Sequence, residues 1–153
     1  MKKLFASIIA LAALAGCSKE KNENRISGDV PFIGKMTVVY RGENVVTDNV
    51  MVDFCTEGEA EGTATLKMYQ VKFVPQMPMS LDINIHDVKY TVSGEVVSFN
   101  ADGVVPTYGE AELPAKMYTV RGLAGTIRDG VLEFSLSFGD FPTSYKGETL
   151  KLE

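Results

Sequence analysis

The chain has 153 residues, 45% hydrophobic and 23% charged, enough to bury one core and too few for two ordinary domains. Fourteen Gly, six Pro, no Trp and a mean hydropathy near zero exclude a collagen-like repeat, low-complexity disorder and a polytopic membrane protein. The formal charge is −5, or −7 once Lys2 and Lys3 leave with a leader, so no basic stripe is present and nucleic acid is not an expected partner.

Residues 1–16 carry two lysines, an apolar stretch from Leu4 and small residues at their end, the plan of a signal peptide. That stretch is shorter than the roughly 20 apolar residues a spanning helix needs. Leu14-Ala15-Gly16-Cys17 resembles the lipobox of bacterial lipoproteins, which implies that Cys17 is the acylated first residue of the mature chain. More than one acyl chain, at about 0.8 kcal/mol per buried methylene, makes a stable bilayer anchor. With Ser18 after the cysteine, the resemblance points to the cell envelope and its outer membrane. Residues 17–27 are too polar to order themselves and read as a lipidated flexible stalk, leaving 28–153 as the domain.

From Gly34 onward apolar residues recur at spacing two, with β-branched and aromatic residues between Gly and Pro punctuation. The predicted strands are Lys35 to Tyr40, Val45 to Phe54, Thr63 to Phe73, Leu81 to Val92, Val96 to Asn100, Ala115 to Arg121, Leu123 to Ile127 and Val131 to Phe138, with a weaker one at Glu148 to Leu152. About eight antiparallel strands and no long amphipathic helix fit an all-β barrel or sandwich.

Turn chemistry sets the register of two hairpins. A turn at Asp129-Gly130 places Ile127 by Leu132, Gly125 by Phe134 and Leu123 by Leu136 on an apolar face, with Glu133 and Ser135 outside. Phe134 then fills the space over a strand glycine. A turn at Ser93-Gly94 sets Tyr90 by Val97 and Val88 by Phe99. Within Leu81 to Val92 the inward set changes from Leu81, Ile83 and Ile85 to Val88, Tyr90 and Val92, which predicts a β-bulge near His86-Asp87.

Leu66, the run Met68-Tyr69-Gln70-Val71-Lys72-Phe73, Met77-Pro78-Met79, Leu81 to Val88, Gly125-Thr126-Ile127 and Asp129-Gly130-Val131-Leu132 together resemble the calycin-like β-barrel domain of Bacteroidetes lipoproteins. The resemblance implies an antiparallel up-and-down eight-stranded barrel of lipocalin-like geometry, and it brings no catalytic set.

The residues that could carry chemistry are few. His86, the one histidine, falls with Asp82 and Asn84 on a polar strand face, the ordinary outer side of a half-buried strand. Cys55 is the one thiol left after acylation of Cys17, and Asp53 and Glu57 beside it disfavour a thiolate. The acidic turn Glu57 to Gly62 lacks the spacing of a calcium loop, and Met68, Met77 and Met79 read as packing residues more readily than as soft-metal ligands. With no phosphate loop, CxxC, HExxH or GxSxG, the expectation is a protein that is not an enzyme and uses no metal or cofactor.

Two functions stay open. The barrel could hold a small apolar ligand among Tyr90, Phe99, Leu123 and Leu136, with Met77 and Met79 at one mouth. Alternatively it is solid and docks an envelope protein partner through loops such as Val104 to Tyr108 or Phe138 to Tyr145.

Overall fold

Alternating apolar side chains give each strand one face to hide, and a sheet that closes on itself hides them all without leaving an edge. The computed structural model describes residues 29–72 and 79–150. Its strands are β1 (Asp29–Tyr40), β2 (Glu43–Cys55), β3 (Thr63–Val71), β4 (Leu81–Ser93), β5 (Val96–Ala101), the short β6 (Thr107–Tyr108) and β7 (Leu113–Pro114), β8 (Val120–Arg128), β9 (Val131–Phe138) and β10 (Phe141–Thr149). Antiparallel pairing runs β3-β2-β1-β10-β9-β8-β5-β4, and a β3–β4 ladder closes the ring. This is the expected all-β, up-and-down, eight-stranded barrel of calycin-like architecture. β6 and β7 lie outside that ring as a hairpin on the first half of β4, where Ile83 pairs with Tyr108 and Asn84 with Thr107.

Strand direction sorts the connections into two ends. At one end are Asp29, Leu150, the loop 56–62 and the turns 94–95 and 129–130; Leu150 N–H donates to the Pro31 carbonyl there. At the far end are the turns 41–42 and 139–140, the connection from β3 to β4, and an excursion over residues 102–119. The expected signal peptide, Cys17 and the stalk, together with Met77, lie outside the described residues.

Four two-residue turns make the meander tight. Arg41-Gly42 and Asp129-Gly130 have positive φ at both positions, and Gly94 and Gly139 supply it at the first position of the other two. The expected Asp129-Gly130 hairpin forms with Ile127 against Leu132 and Gly125 against Phe134. The third pair does not form, because an extra residue enters β8 at Gly122, whose φ is +62°. That bulge keeps both Val120 and Leu123 inward. The sequence therefore reads as two strands, Ala115 to Arg121 and Leu123 to Ile127, where the chain makes one, with Lys116–Tyr118 a 3₁₀ turn before it.

Three further expectations are corrected. The β4–β5 turn is Gly94-Glu95, so Tyr90 pairs with Phe99 and Val92 with Val97, a slip of two residues that preserves every inward face. β1 starts at Asp29, ahead of Lys35, because Val30 and Phe32 already alternate into the core. Phe138 to Tyr145 is no loop, since Gly139-Asp140 is a tight turn and Thr143, Tyr145 and Gly147 point inward from β10. The bulge expected at His86-Asp87 is present: Ile85 faces Leu66, Val88 faces Ala64, and Asp87 between them has φ +61°.

Candidate functional site

The interior is bridged by aromatic rings. Phe54 on β2 and Phe99 on β5 belong to strands that are not neighbours, yet their centroids are 5.4 Å apart. Tyr90 joins Phe54 edge-on at 5.6 Å, Phe134 lies 6.2 Å from Phe99, and Tyr145 stacks on Phe134 at 5.3 Å. These are ordinary van der Waals separations for aromatic pairs, so nothing fits between the rings. Above and below them Phe32, Met36, Leu66, Met68, Ile83, Ile85 and Phe138 are wholly buried.

Glycine makes this filling achievable. A Cβ on Gly125 would come within 2.6 Å of the Phe99 ring and 2.5 Å of the Glu133 carbonyl. Gly34 and Gly147, paired across β1 and β10, leave equally little room for one. The Tyr145 hydroxyl reaches past β1 to donate to the Val50 carbonyl of β2 at 2.8 Å. Burial raises the Tyr145 hydroxyl far above its ordinary range, so it remains a donor.

The four described residues expected to line a ligand are thus inward and packed: Tyr90, Phe99, Leu123 and Leu136 are 5%, 2%, 2% and 5% exposed. Met79 is 64% exposed at the far end. Met77 lies outside the described residues, and Met68 belongs to the core.

A second assembly sits outside the barrel, around the histidine. His86 lies on the outer face of β4, where its Nε2 is 2.6 Å from Glu112 Oε1 and its Nδ1 is 3.0 Å from Thr65 Oγ1. The Thr65 hydroxyl donates to Glu59 Oε2 at 3.0 Å, and the Thr107 hydroxyl donates to Glu112 Oε1 at 2.7 Å. The Thr107 hydroxyl, and after it His86, hold the Glu112 carboxyl below its usual range. Glu59 belongs to the loop 56–62 and Glu112 to the excursion, so one imidazole joins loops rooted at opposite ends of the barrel. The order hydroxyl, imidazole, carboxylate is that of a nucleophile triad. Thr65, however, is only 1% exposed and its proton is committed to Glu59, which keeps the oxygen from any substrate.

Sequence reading placed His86 on the outer face but found neither Thr65, Thr107 nor Glu112. Their one shared signal is being polar on strands and turns, and only the closed topology brings them to His86. Cys55 is buried, and burial first, with Asp29 and Asp53 adding to it, pushes its thiol up to about 12. Among the described residues no group of three His, Cys, Asp or Glu side chains could hold a metal ion. None of the helices there is long and apolar enough to cross a membrane.

The far end carries most of the exposed large apolar side chains: Met117 at 73%, Met79 at 64%, Leu113 at 50% and Val105 at 37%. Beside them Tyr40, Phe141 and Tyr118 form a small aromatic group with 6.2 Å between successive rings, and the Arg41 guanidinium covers Tyr40.

Fold and site together define a closed antiparallel eight-stranded barrel with an aromatic interior and a polar junction on its wall. Comparison with known protein families, with curated proteins and with solved structures gave no match to this chain.

Proposed function

We propose that this chain is a lipid-anchored cell-envelope protein whose barrel is solid and works as a protein-interaction module. The observation that carries the reading is the ring contact across the lumen from β2 to β5, at 5.4 Å between Phe54 and Phe99. A small apolar ligand among Tyr90, Phe99, Leu123 and Leu136 would have to part these rings and forfeit their packing. The outer surface then carries the binding. Acylated Cys17 would tether the barrel through the end that holds Asp29, opposite the end that carries Met79, Val105, Leu113 and Met117.

Two measurements test this. Cys17→Ser is expected to move the folded protein from the membrane fraction to the soluble one, and an unmodified mature Cys17 by intact mass would overturn the anchor. Thermal unfolding with fatty acids, haem-like and sterol-like compounds is expected to show no stabilisation. A ligand at 100 times its Kd would add about 2.7 kcal/mol, and such a shift would restore the ligand-binding barrel.

A further inference from the structure

We propose that His86 is a protonation-dependent latch, which links the loop 56–62 and the excursion 102–119 across β3 and β4 in one unbroken hydrogen-bond chain only while its imidazole carries two protons. The argument is an accounting of donors. Thr65 owns one hydroxyl proton, and it points at Glu59 Oε2 at 3.0 Å. The oxygen can then only accept from Nδ1, 3.0 Å away, so Nδ1 bears a proton. Nε2 faces Glu112 Oε1 at 2.6 Å, and a carboxylate only accepts, so Nε2 bears one too. The complete chain from Glu59 through Thr65 and His86 to Glu112 therefore exists for the imidazolium alone.

The groups that face the imidazole come from four elements. Glu59 comes from the loop 56–62, Thr65 and Lys67 from β3, Asn84 and Asp87 from β4, and Thr107 and Glu112 from the excursion. Glu59 and Glu112 bracket the imidazole through its two nitrogens, and Lys67 is near enough to act on the Glu112 charge. Thr107, the second donor to Glu112, is itself 3.5 Å from the Asn84 amide.

Loss of one proton cannot leave the chain whole. If Nδ1 keeps its proton, the bare Nε2 lone pair confronts a carboxylate oxygen and the bond to Glu112 opens. If Nε2 keeps it, the one Thr65 hydroxyl proton can serve Nδ1 or Glu59 but not both, and one of those two bonds opens. Each tautomer breaks the chain at one bond. Either loop has a second hold on the wall, since Tyr90 N–H donates to the Gly62 carbonyl and Gly109 N–H to the Asp82 carbonyl. Release is therefore local, and the barrel stays closed. The sense is fixed by the accounting: the latch is complete on the acid side of the interval, about pH 5 to 8, in which imidazole changes charge. This holds whatever the far end binds.

The test uses the full chain, with ¹⁵N NMR of the imidazole and amide exchange corrected for intrinsic base catalysis, at about pH 5.5 and about pH 8. Both ring nitrogens should be protonated at the lower pH. Opening at the Gly109 and Glu112 amides of the excursion, or at Glu59 and Thr63 on the other side, should rise about tenfold at the higher pH while β9 and β10 amides stay fixed. His86→Gln should abolish that rise, with β9 and β10 protection certifying that it folds. A neutral imidazole at about pH 5.5, pH-independent opening of all four amides, or a His86→Gln protein that keeps the response would each overturn the latch.

Discussion

Across β8, β9 and β10 the barrel wall is tight: Phe134 lies over Gly125, Tyr145 stacks on Phe134, and β8 and β9 hold one register from the Asp129-Gly130 turn to Ala124 and Ser135, with a single bulge beyond it at Gly122. Across β3 and β4, on the other side of the ring, the ladder slips twice, and Gln70 and Asp87 sit at positive φ. There the wall is braced from outside by the junction of Thr65, His86 and Glu112 and by the short hairpin of β6 and β7. The first wall draws its stability from apolar area taken out of water, the second adds hydrogen bonds whose gain is offset by solvent. Changes to the first should therefore be costly and insensitive to pH, and changes to the second small and sensitive to it.

The sharpest way to break this contrast is Phe134→Ala. It removes a ring that touches Phe99 and Tyr145 and leaves a void over Gly125, so the expected cost is about 3 to 5 kcal/mol in chemical denaturation. Glu133→Ala and Ser135→Ala, on the exposed face of the same strand, should each stay within about 0.5 kcal/mol. An inverted order would mean that the strand's faces are exchanged.

That this wall was legible in advance, and the other largely not, follows from where the information lies. In β8 to β10 the turn residues Asp129-Gly130, the alternation of Leu132, Phe134 and Leu136, and the glycine opposite Phe134 are all local, and pattern alone recovers them. Eight strands are expected and eight close the ring, but two differences offset each other: the Gly122 bulge makes one strand read as two, and β10 shows in the sequence only as the weak strand from Glu148, because Pro142 and Gly139 look like loop residues. The bulge at Asp87 was readable because the parity of inward residues changes across it. The partners of His86 were not readable, since Thr65 and Glu112 stand 21 and 26 residues away and nothing local marks either. The aromatic bridge is equally hidden: Phe99 and Phe134 read as inward and Phe54 only as the end of a strand, and whether inward rings meet or line a space depends on barrel diameter.

A middle-sized effect separates packing from hydrogen bonding inside the tight wall itself. Tyr145→Phe keeps the ring stacked on Phe134 but strips the donor from the buried Val50 carbonyl. The expected loss is about 1 to 3 kcal/mol, the desolvation cost of an acceptor left without its partner. A separate cycle of Tyr145→Leu, which does remove the ring, with Phe134→Ala should show coupling, since the two rings touch; additivity there would mean that the stack contributes nothing beyond area.

The smallest effect is expected at Glu112, and its sign is fixed. The Thr107 hydroxyl first, and His86 next, favour the ionised carboxyl, so its folded pKa lies below the unfolded one. A group of that kind stabilises fully above its unfolded pKa, and its contribution fades as pH falls through the folded value. Acidification below the ordinary glutamate range should therefore loosen the turn Gly109 to Glu112, read as faster corrected exchange of those two amides, before it disturbs β9 or β10. The side chain is about half exposed, at 49%, so the whole effect should remain under about 1 kcal/mol. Glu112→Gln keeps an acceptor for Thr107 but removes the charge, and it should abolish this acid step while leaving the barrel's denaturation midpoint nearly unchanged. Salt at about 1 M, which shortens the screening length to about 3 Å, should weaken the His86 part and spare the Thr107 hydrogen bond. If Glu112→Gln instead lowered barrel stability by as much as Tyr145→Phe, the polar junction would be bearing the β3–β4 wall, and the contrast between the two sides would fail.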